Sequence, residues 1–166
     1  MQVAGIGGGK SISFMLPAYI SPHGVTVVVV PLVALRQDLH KQCERAGIDS
    51  HVWQSRGANR GASIVFVTPE SAVTKGFRAF VNQLVARGGL DRVVVDECHT
   101  VLDSDQTFRP QMSELSEAVQ GFGVQAVFLT ATLAPVDMPA FHDRIGLRGQ
   151  HIAFFRDWTT RRNIGY

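Results

Sequence analysis

The sequence predicts an α/β fold: a three-layer α/β/α arrangement with helices on both faces of a mostly parallel central sheet. Three observations predict it. Short runs dense in Val, Ile and Phe recur along the chain with little polar alternation, which is how strands buried on both faces read. Longer helical stretches separate the runs, and strand–helix alternation implies parallel strands joined by right-handed crossovers. The unusual residues fall directly after the runs, where ligands sit in such sheets, at the carboxyl ends of the strands.

Taken in order, Met1–Ala4 is a strand stub leading into a glycine run, and Lys10–Ala18 reads as the helix that follows. Val25–Val30, Ser63–Val67, Arg92–Val95 and Val124–Leu129 read as strands, and Leu32–Arg45, Gly76–Ala86, Arg109–Ala118 and Val136–Ile145 as helices. The polar, basic end Thr159–Tyr166 reads as a linker leading elsewhere. The expected organisation is therefore one domain over residues 1–155 and a linker over 156–166.

Composition narrows the class. With 45% hydrophobic and 18% charged residues, the 166-residue chain is globular rather than disordered. A net charge of +2 permits a polyanionic partner without demanding one. The two cysteines, Cys43 and Cys98, form no CxxC pair, so neither a disulfide framework nor a zinc site is expected, and a reducing intracellular location fits. No apolar run is long enough to span a bilayer, and no membrane partner is expected.

Two motifs carry chemistry. The first is Ala4-Gly5-Ile6-Gly7-Gly8-Gly9-Lys10-Ser11, a phosphate loop in which Ala4 stands in the first glycine's place. Gly7, Gly8 and Gly9 let backbone N–H groups form an anion-binding nest ahead of a helix N-terminus. Lys10 supplies a point charge for the β- and γ-phosphates, and Ser11 offers a hydroxyl to Mg²⁺. A dinucleotide fingerprint is excluded, because counting from Gly5 and Gly7 the third glycine would have to occupy the position of Lys10.

The second is Val93-Val94-Val95-Asp96-Glu97-Cys98-His99, an apolar strand that delivers two adjacent carboxylates at its carboxyl end. Asp96 is expected to hold Mg²⁺ through its water shell, Glu97 to polarise the attacking water as a general base, and His99 to connect the site to the rest of the machine. The expectation is that the two carboxylates diverge because neighbouring strand residues point to opposite faces. Alone, Asp-Glu after a strand reads equally well as a solvated turn; the upstream phosphate loop gives it meaning.

The remaining segments resemble, in order, the motifs of superfamily 2 DNA helicases of the RecQ type. The phosphate loop followed by Phe14-Met15-Leu16-Pro17-Ala18 is similar to motif I, and Val28 to Leu35 followed by Arg36-Gln37-Asp38 to motif Ia. Ile64-Val65-Phe66-Val67-Thr68-Pro69-Glu70 resembles motif Ib, and Asp96-Glu97-Cys98-His99 is a DECH form of motif II. Phe108-Arg109-Pro110 falls where the family keeps its aromatic-rich loop, Leu129-Thr130-Ala131-Thr132-Leu133 resembles motif III, and Arg161-Arg162-Asn163-Ile164 resembles the exit to the second domain.

That resemblance implies the first RecA-like domain of a P-loop NTPase motor, with ATP and Mg²⁺ as cofactors and 3′-to-5′ translocation on single-stranded or partly duplex DNA. It places Pro31, Arg36, Thr68, Pro69, Phe108 and Arg109 along the nucleic acid, mostly on phosphates. It assigns Thr130 and Thr132 to coupling, expects a second RecA-like domain in cis or trans, and implies a nuclear location if the source is eukaryotic. Without the resemblance, Arg36 reads as a solvated helix residue, Pro31 as a strand stop and Phe108 as core.

Four departures bear on function. The family's adenine-reading glutamine motif would lie ahead of residue 1, so base recognition is expected to be weak. Ser104 and Gln106 stand where the family usually has Trp and His, which removes stacking from the aromatic loop. Ile6 replaces the usual Thr of motif I. The second domain, which supplies an arginine finger worth roughly 10³–10⁵ in rate, is not in the chain. Two alternatives stay open: a non-catalytic remnant that binds nucleotide or nucleic acid, and an RNA-directed member of the same superfamily.

Overall fold

The computed structural model describes residues 1–5, 7–21, 23–56, 59–102, 121, 123–146 and 152–157. Among them a seven-stranded sheet runs in the order β3-β4-β2-β5-β6-β1-β7, and every pairing is parallel. The strands are β1 (Gln2–Val3), β2 (Val25–Val29), β3 (Ser50–Val52), β4 (Ile64–Val67), β5 (Leu90–Val95), β6 (Gln125–Thr130) and β7 (Phe155–Arg156). The helices are α1 (Ile12–Ile20), α2 (Val33–Arg45), α3 (Pro69–Ala72), α4 (Lys75–Ala86) and α5 (Met138–Arg144). Single 3-10 turns follow β5 at Cys98–Leu102 and precede α5 at Pro135–Asp137.

The valine-rich runs form the sheet centre because their side chains are wanted on both faces. All five residues of β2 and all four of β4 are buried. Val27, Val29, Val65, Val67, Val93 and Val95 share one core with Phe77, Val81 and Leu84 of α4 and Phe141 of α5. The alternate residues Val28, Val30, Ile64, Phe66, Val94 and Leu129 share the other with Phe14 and Ala18 of α1 and Leu39 and Cys43 of α2. The two cores are the two faces of one pleat, which is the three-layer arrangement the sequence predicts.

The differences from expectation lie at short elements and boundaries. The helix expected from Lys10 begins at Ile12, which leaves Lys10 and Ser11 in the loop. The helix expected over Val136–Ile145 is split into a 3-10 turn and α5. Two edge strands, β3 and β7, were not expected, and β7 takes in Arg156, the first residue of the span read as linker. The expected helix Arg109–Ala118 and the segment Thr159–Tyr166 lie outside the described residues. No described helix is long and apolar enough to cross a membrane.

Phe66 is fully buried and meets Phe14 edge-on, with ring centroids 6.3 Å apart. Emptying that site joins lost transfer energy to a cavity under the motif-bearing helix. Phe66→Ala is expected to cost about 3–5 kcal/mol, which for a domain of this size is a Tm loss of roughly 10 °C in a thermal melt.

Candidate nucleotide and coupling site

Every motif singled out in the sequence that falls on described residues opens at the same edge of the sheet, because all the strands are parallel. The loop after β1 carries the phosphate motif, that after β5 the carboxylates, and that after β6 Thr130 to Thr132. The loops after β2 and β4 carry Pro31 and Thr68.

In the phosphate loop, Gly7 and Gly9 adopt φ of +82° and +73°, conformations that L side chains resist. A Cβ on Gly8 would come 2.9 Å from the Gly5 carbonyl and 3.3 Å from the Ala4 methyl, so only glycine fits beneath this turn. The loop is closed on itself: the Gly8 N–H donates to the Gly5 carbonyl at 2.9 Å, and Lys10 Nζ donates to the Ala4 carbonyl at 3.0 Å and the Gly5 carbonyl at 3.4 Å. Ser11, the residue before α1, makes no side-chain capping bond, so its hydroxyl is not spent on the helix end.

Asp96 is buried where β5 ends, its N–H donating to the Val29 carbonyl of β2 at 2.9 Å. Burial, and then the neighbouring Glu97 charge, push its carboxyl up to about 6, against the opposing effects of the Glu97 N–H, Lys10 and His99. Glu97 is held below the usual carboxylate range, first by its bond to His99 and further by the charges of His99 and Lys10. The ends of β1 and β5 open at the same edge of the sheet with only β6 between them, so the loop of Lys10 and the acidic turn emerge at that edge.

Strand alternation does not set the two carboxylates, because the strand ends before them. β5 stops at Val95, and Glu97 turns at φ +47°, the one positive φ at a non-glycine residue among those described. The turn is held by the Glu97 N–H on Asp96 Oδ1 at 3.0 Å and by the Thr100 N–H and hydroxyl on the Glu97 carbonyl at 3.1 and 2.9 Å. Left-handed backbone at such a residue costs on the order of 1 kcal/mol and persists where its surroundings over-determine it.

His99 joins this turn to the next strand. Its Nδ1 lies 3.3 Å from Glu97 Oε2 and 2.9 Å from Thr130 Oγ1, and that same hydroxyl oxygen accepts the Thr132 N–H at 3.2 Å. Thr130 is fully buried at the end of β6, while Thr132 is exposed. A ring nitrogen, a carboxylate and a buried hydroxyl thus form one contiguous path from the acidic turn to the surface beyond β6.

The residues expected along nucleic acid separate into two groups. Pro31 and Arg36 are half-buried, and Arg36 Nε is buried without a partner; burial lowers the guanidinium's affinity for its proton, opposed by the charge of Glu70. Thr68 and Pro69 instead begin α3. Thr68 Oγ1 accepts the Ser71 N–H at 3.3 Å as an N-cap, and Pro69 is buried in the first turn, where its fixed φ suits the helix start. Pro69 therefore offers little surface to any ligand. Phe108 and Arg109 lie outside the described residues, as does Ile6.

Residues 1–138 match the family model of DEAD/DEAH box helicases. The chain belongs to the DEAD/DEAH box helicase family. Among curated relatives it is 30% identical to the ATP-dependent helicase SGS1 of Saccharomyces cerevisiae and 32% identical to the RecQ-like DNA helicase blm-1 of Caenorhabditis elegans, in each case over 96% of this chain. The aligned region is only 12% and 18% of those proteins, so this DEAD/DEAH box domain spans less than a fifth of either. Among the solved structures that share the fold are two helicases. They are the DUF1998 helicase MrfA bound to DNA, at TM-score 0.68 and 17% identity over 94% of this chain and 23% of that one, and the Pyrococcus furiosus Hef helicase domain, at TM-score 0.60 and 17% identity over 93% of this chain and 34% of that one.

The electrostatics yield a stability test. Asp96 binds its proton more tightly in the folded chain, at about 6, than at the ordinary value of 3.8, so between these values the folded state holds more protons than the unfolded one. Stability from this group is greatest below that window and falls as pH rises through it. Without nucleotide, Asp96→Asn is expected to raise Tm by several degrees at pH 7.5 and by little at pH 4. Equal shifts at both pH values in a melt series would contradict the burial cost assigned to Asp96.

Proposed function

We propose that this chain is the ATP-binding half of an ATP-dependent 3′-to-5′ DNA helicase of the RecQ type, acting on single-stranded or partly duplex DNA together with a second RecA-like domain in cis or trans. The observation that carries this reading is the shared sheet edge at which the Lys10 loop and the Asp96–Glu97 turn emerge, with β6 between their strands. Strand neighbours are about 4.8 Å apart, so two steps leave roughly 10 Å, a gap suited to a triphosphate and a hydrated cation.

The residues present fit that occupant. Ser11 Oγ and the Asp96 carboxylate are hard oxygen donors of the kind Mg²⁺ takes, and one Asp96 oxygen is already oriented by the Glu97 N–H. When bound, the magnesium would neutralise charge on the β- and γ-phosphates. Gly7 and Gly9 shape the nest, while Gly8 N–H and Lys10 Nζ must leave the Ala4 and Gly5 carbonyls to meet phosphate oxygens. Glu97, kept ionised by His99, is the group placed to accept a proton from an attacking water.

The path from His99 through Thr130 to Thr132 supports a coupling role. A change at Glu97 shifts the partner of His99, and with it the hydroxyl that holds the Thr132 backbone. On the far side of β5, Pro31 and Arg36 after β2 and the partly exposed Thr68 after β4 make up the nucleic-acid side, where contacts go to phosphates and carry little sequence information. In a eukaryotic source such a motor would work in the nucleus.

Two substitutions test this. Lys10→Ala is expected to abolish Mg-ATP binding in calorimetry, and Glu97→Gln to leave binding intact. In the chain continued into a second RecA-like domain, Glu97→Gln should lower DNA-stimulated hydrolysis about 10²-fold or more. A continued protein that binds Mg-ATP but never hydrolyses it would favour the non-catalytic remnant; unchanged binding by Lys10→Ala would contradict the nucleotide site itself.

A further inference from the structure

Residues 131–134, which join β6 to the following 3-10 turn, are gripped from two directions. Ala131 and Leu133 are buried, and Thr132 between them is exposed. From within the loop, the Thr130 hydroxyl oxygen accepts the Thr132 N–H. From outside it, Arg156 Nη2 donates to the Leu133 carbonyl at 2.9 Å. That second donor comes from β7, two strands away from β6, and none of the motifs described above includes it.

The register of the sheet explains the reach. Val3 pairs with Thr130 on one side and with Arg156 on the other, so the three residues form one row across β6, β1 and β7 and share a face of the pleat. Val3 is the last residue of β1, directly ahead of the phosphate loop. The two ends of this row, Thr130 and Arg156, close on the same short segment. β7 is itself pinned to β1: the Phe155 N–H donates to the Met1 carbonyl and the Asp157 N–H to the Val3 carbonyl, each at 2.9 Å.

The guanidinium is also propped. It lies 5.5 Å from the centre of the Phe154 ring, a cation–π distance. An arginine at an exposed sheet edge has rotamer freedom that one hydrogen bond holds poorly. A planar fork resting on a ring is pre-organised, so less freedom is lost when it bonds the carbonyl. The bond is charge-assisted, which makes it stronger than the neutral bond at Thr132.

We propose that Arg156 is a positioning residue for the coupling loop. It fixes the Leu133 carbonyl, so that a change at the Thr130 hydroxyl reaches the exposed Thr132 instead of being absorbed by a loop held at one end. The proposal rests on the coupling reading above, in which Glu97 and His99 bias that hydroxyl. It also carries the path on to β7, which opens the span read as a linker. Arg156 contacts neither the nucleotide nor the nucleic acid in this account. Its loss therefore acts on the free energy that links the two sites and not on either affinity alone.

The test uses the full chain. Fluorescence anisotropy gives its affinity for a single-stranded oligothymidine with and without Mg²⁺ and a non-hydrolysable ATP analogue, and the ratio of the two affinities is the coupling. Such ratios are typically about five- to 150-fold. The parent chain is expected to fall in that range, and Arg156→Ala below about twofold, with each ligand's affinity measured alone staying within about twofold of the parent. Arg156→Lys keeps a donor without the flat face, and Phe154→Leu keeps the arginine without its prop. Both are expected to fall between the parent and Arg156→Ala, and they carry the test if Arg156→Ala does not fold. An unchanged ratio in these variants, or a parallel loss of both affinities at constant ratio, would overturn the positioning role and leave the coupling path standing. A parent chain without any coupling would refute that path itself, and the role of Arg156 with it.

Discussion

The constraint on which the rest of this structure depends is the parallel pairing of β6 between β1 and β5. Gln2 lies in register with Leu129 and Val3 with Thr130 on one side, and Val94 with Val127 and Val95 with Phe128 on the other. These registers bring the ends of three strands to the same level. They hold the phosphate loop two strand spacings from the acidic turn and place the Thr130 hydroxyl between them, where His99 finds it. Because side chains alternate along a strand, a slip of one residue in β6 would send Thr130 to the wrong face and break the path from Glu97 to Thr132.

Around this frame, stability is given up at the points where ligand chemistry is proposed. Asp96 is buried beside a like charge, Glu97 holds a left-handed backbone, and Arg36 buries a nitrogen without a partner. An apolar side chain would avoid the cost at Asp96 and Arg36, and a glycine the cost at Glu97. The valine-rich strands and the two cores they fill carry the compensating burial. The closed phosphate loop belongs with these features. Two of its donors, the Gly8 N–H and Lys10 Nζ, are held by its own carbonyls, so binding that recruits them exchanges one set of hydrogen bonds for another.

Much of this was legible in the sequence because it rests on strong local signals. The central strands are runs of Val, Ile and Phe long enough to fill both faces of the pleat, and the motifs sit directly after them. What escaped had weak signals or depended on distant partners. β3 begins Ser50-His51 and β7 is Phe155-Arg156; both are edge strands made by pairing with β4 and β1 rather than by their own composition. α3 is a single turn, though Thr68 before Pro69, an N-cap followed by proline at the first helical position, announces it. Those two residues were read as nucleic-acid contacts, when their spacing also specified a helix start. The left-handed backbone of Glu97 was not legible either, because it lies in a turn beyond the end of β5, where strand periodicity no longer applies.

The central claim is that Ser11 and Asp96 close on one metal–triphosphate between β1 and β5. Anomalous diffraction from Mn²⁺ in crystals grown with a non-hydrolysable ATP analogue tests it most directly. The account predicts a single strong peak between Ser11 Oγ and the Asp96 carboxylate, with Lys10 Nζ moved from the Ala4 carbonyl onto a phosphate oxygen. A peak elsewhere, or a nucleotide bound with Lys10 still on its own loop, would contradict it.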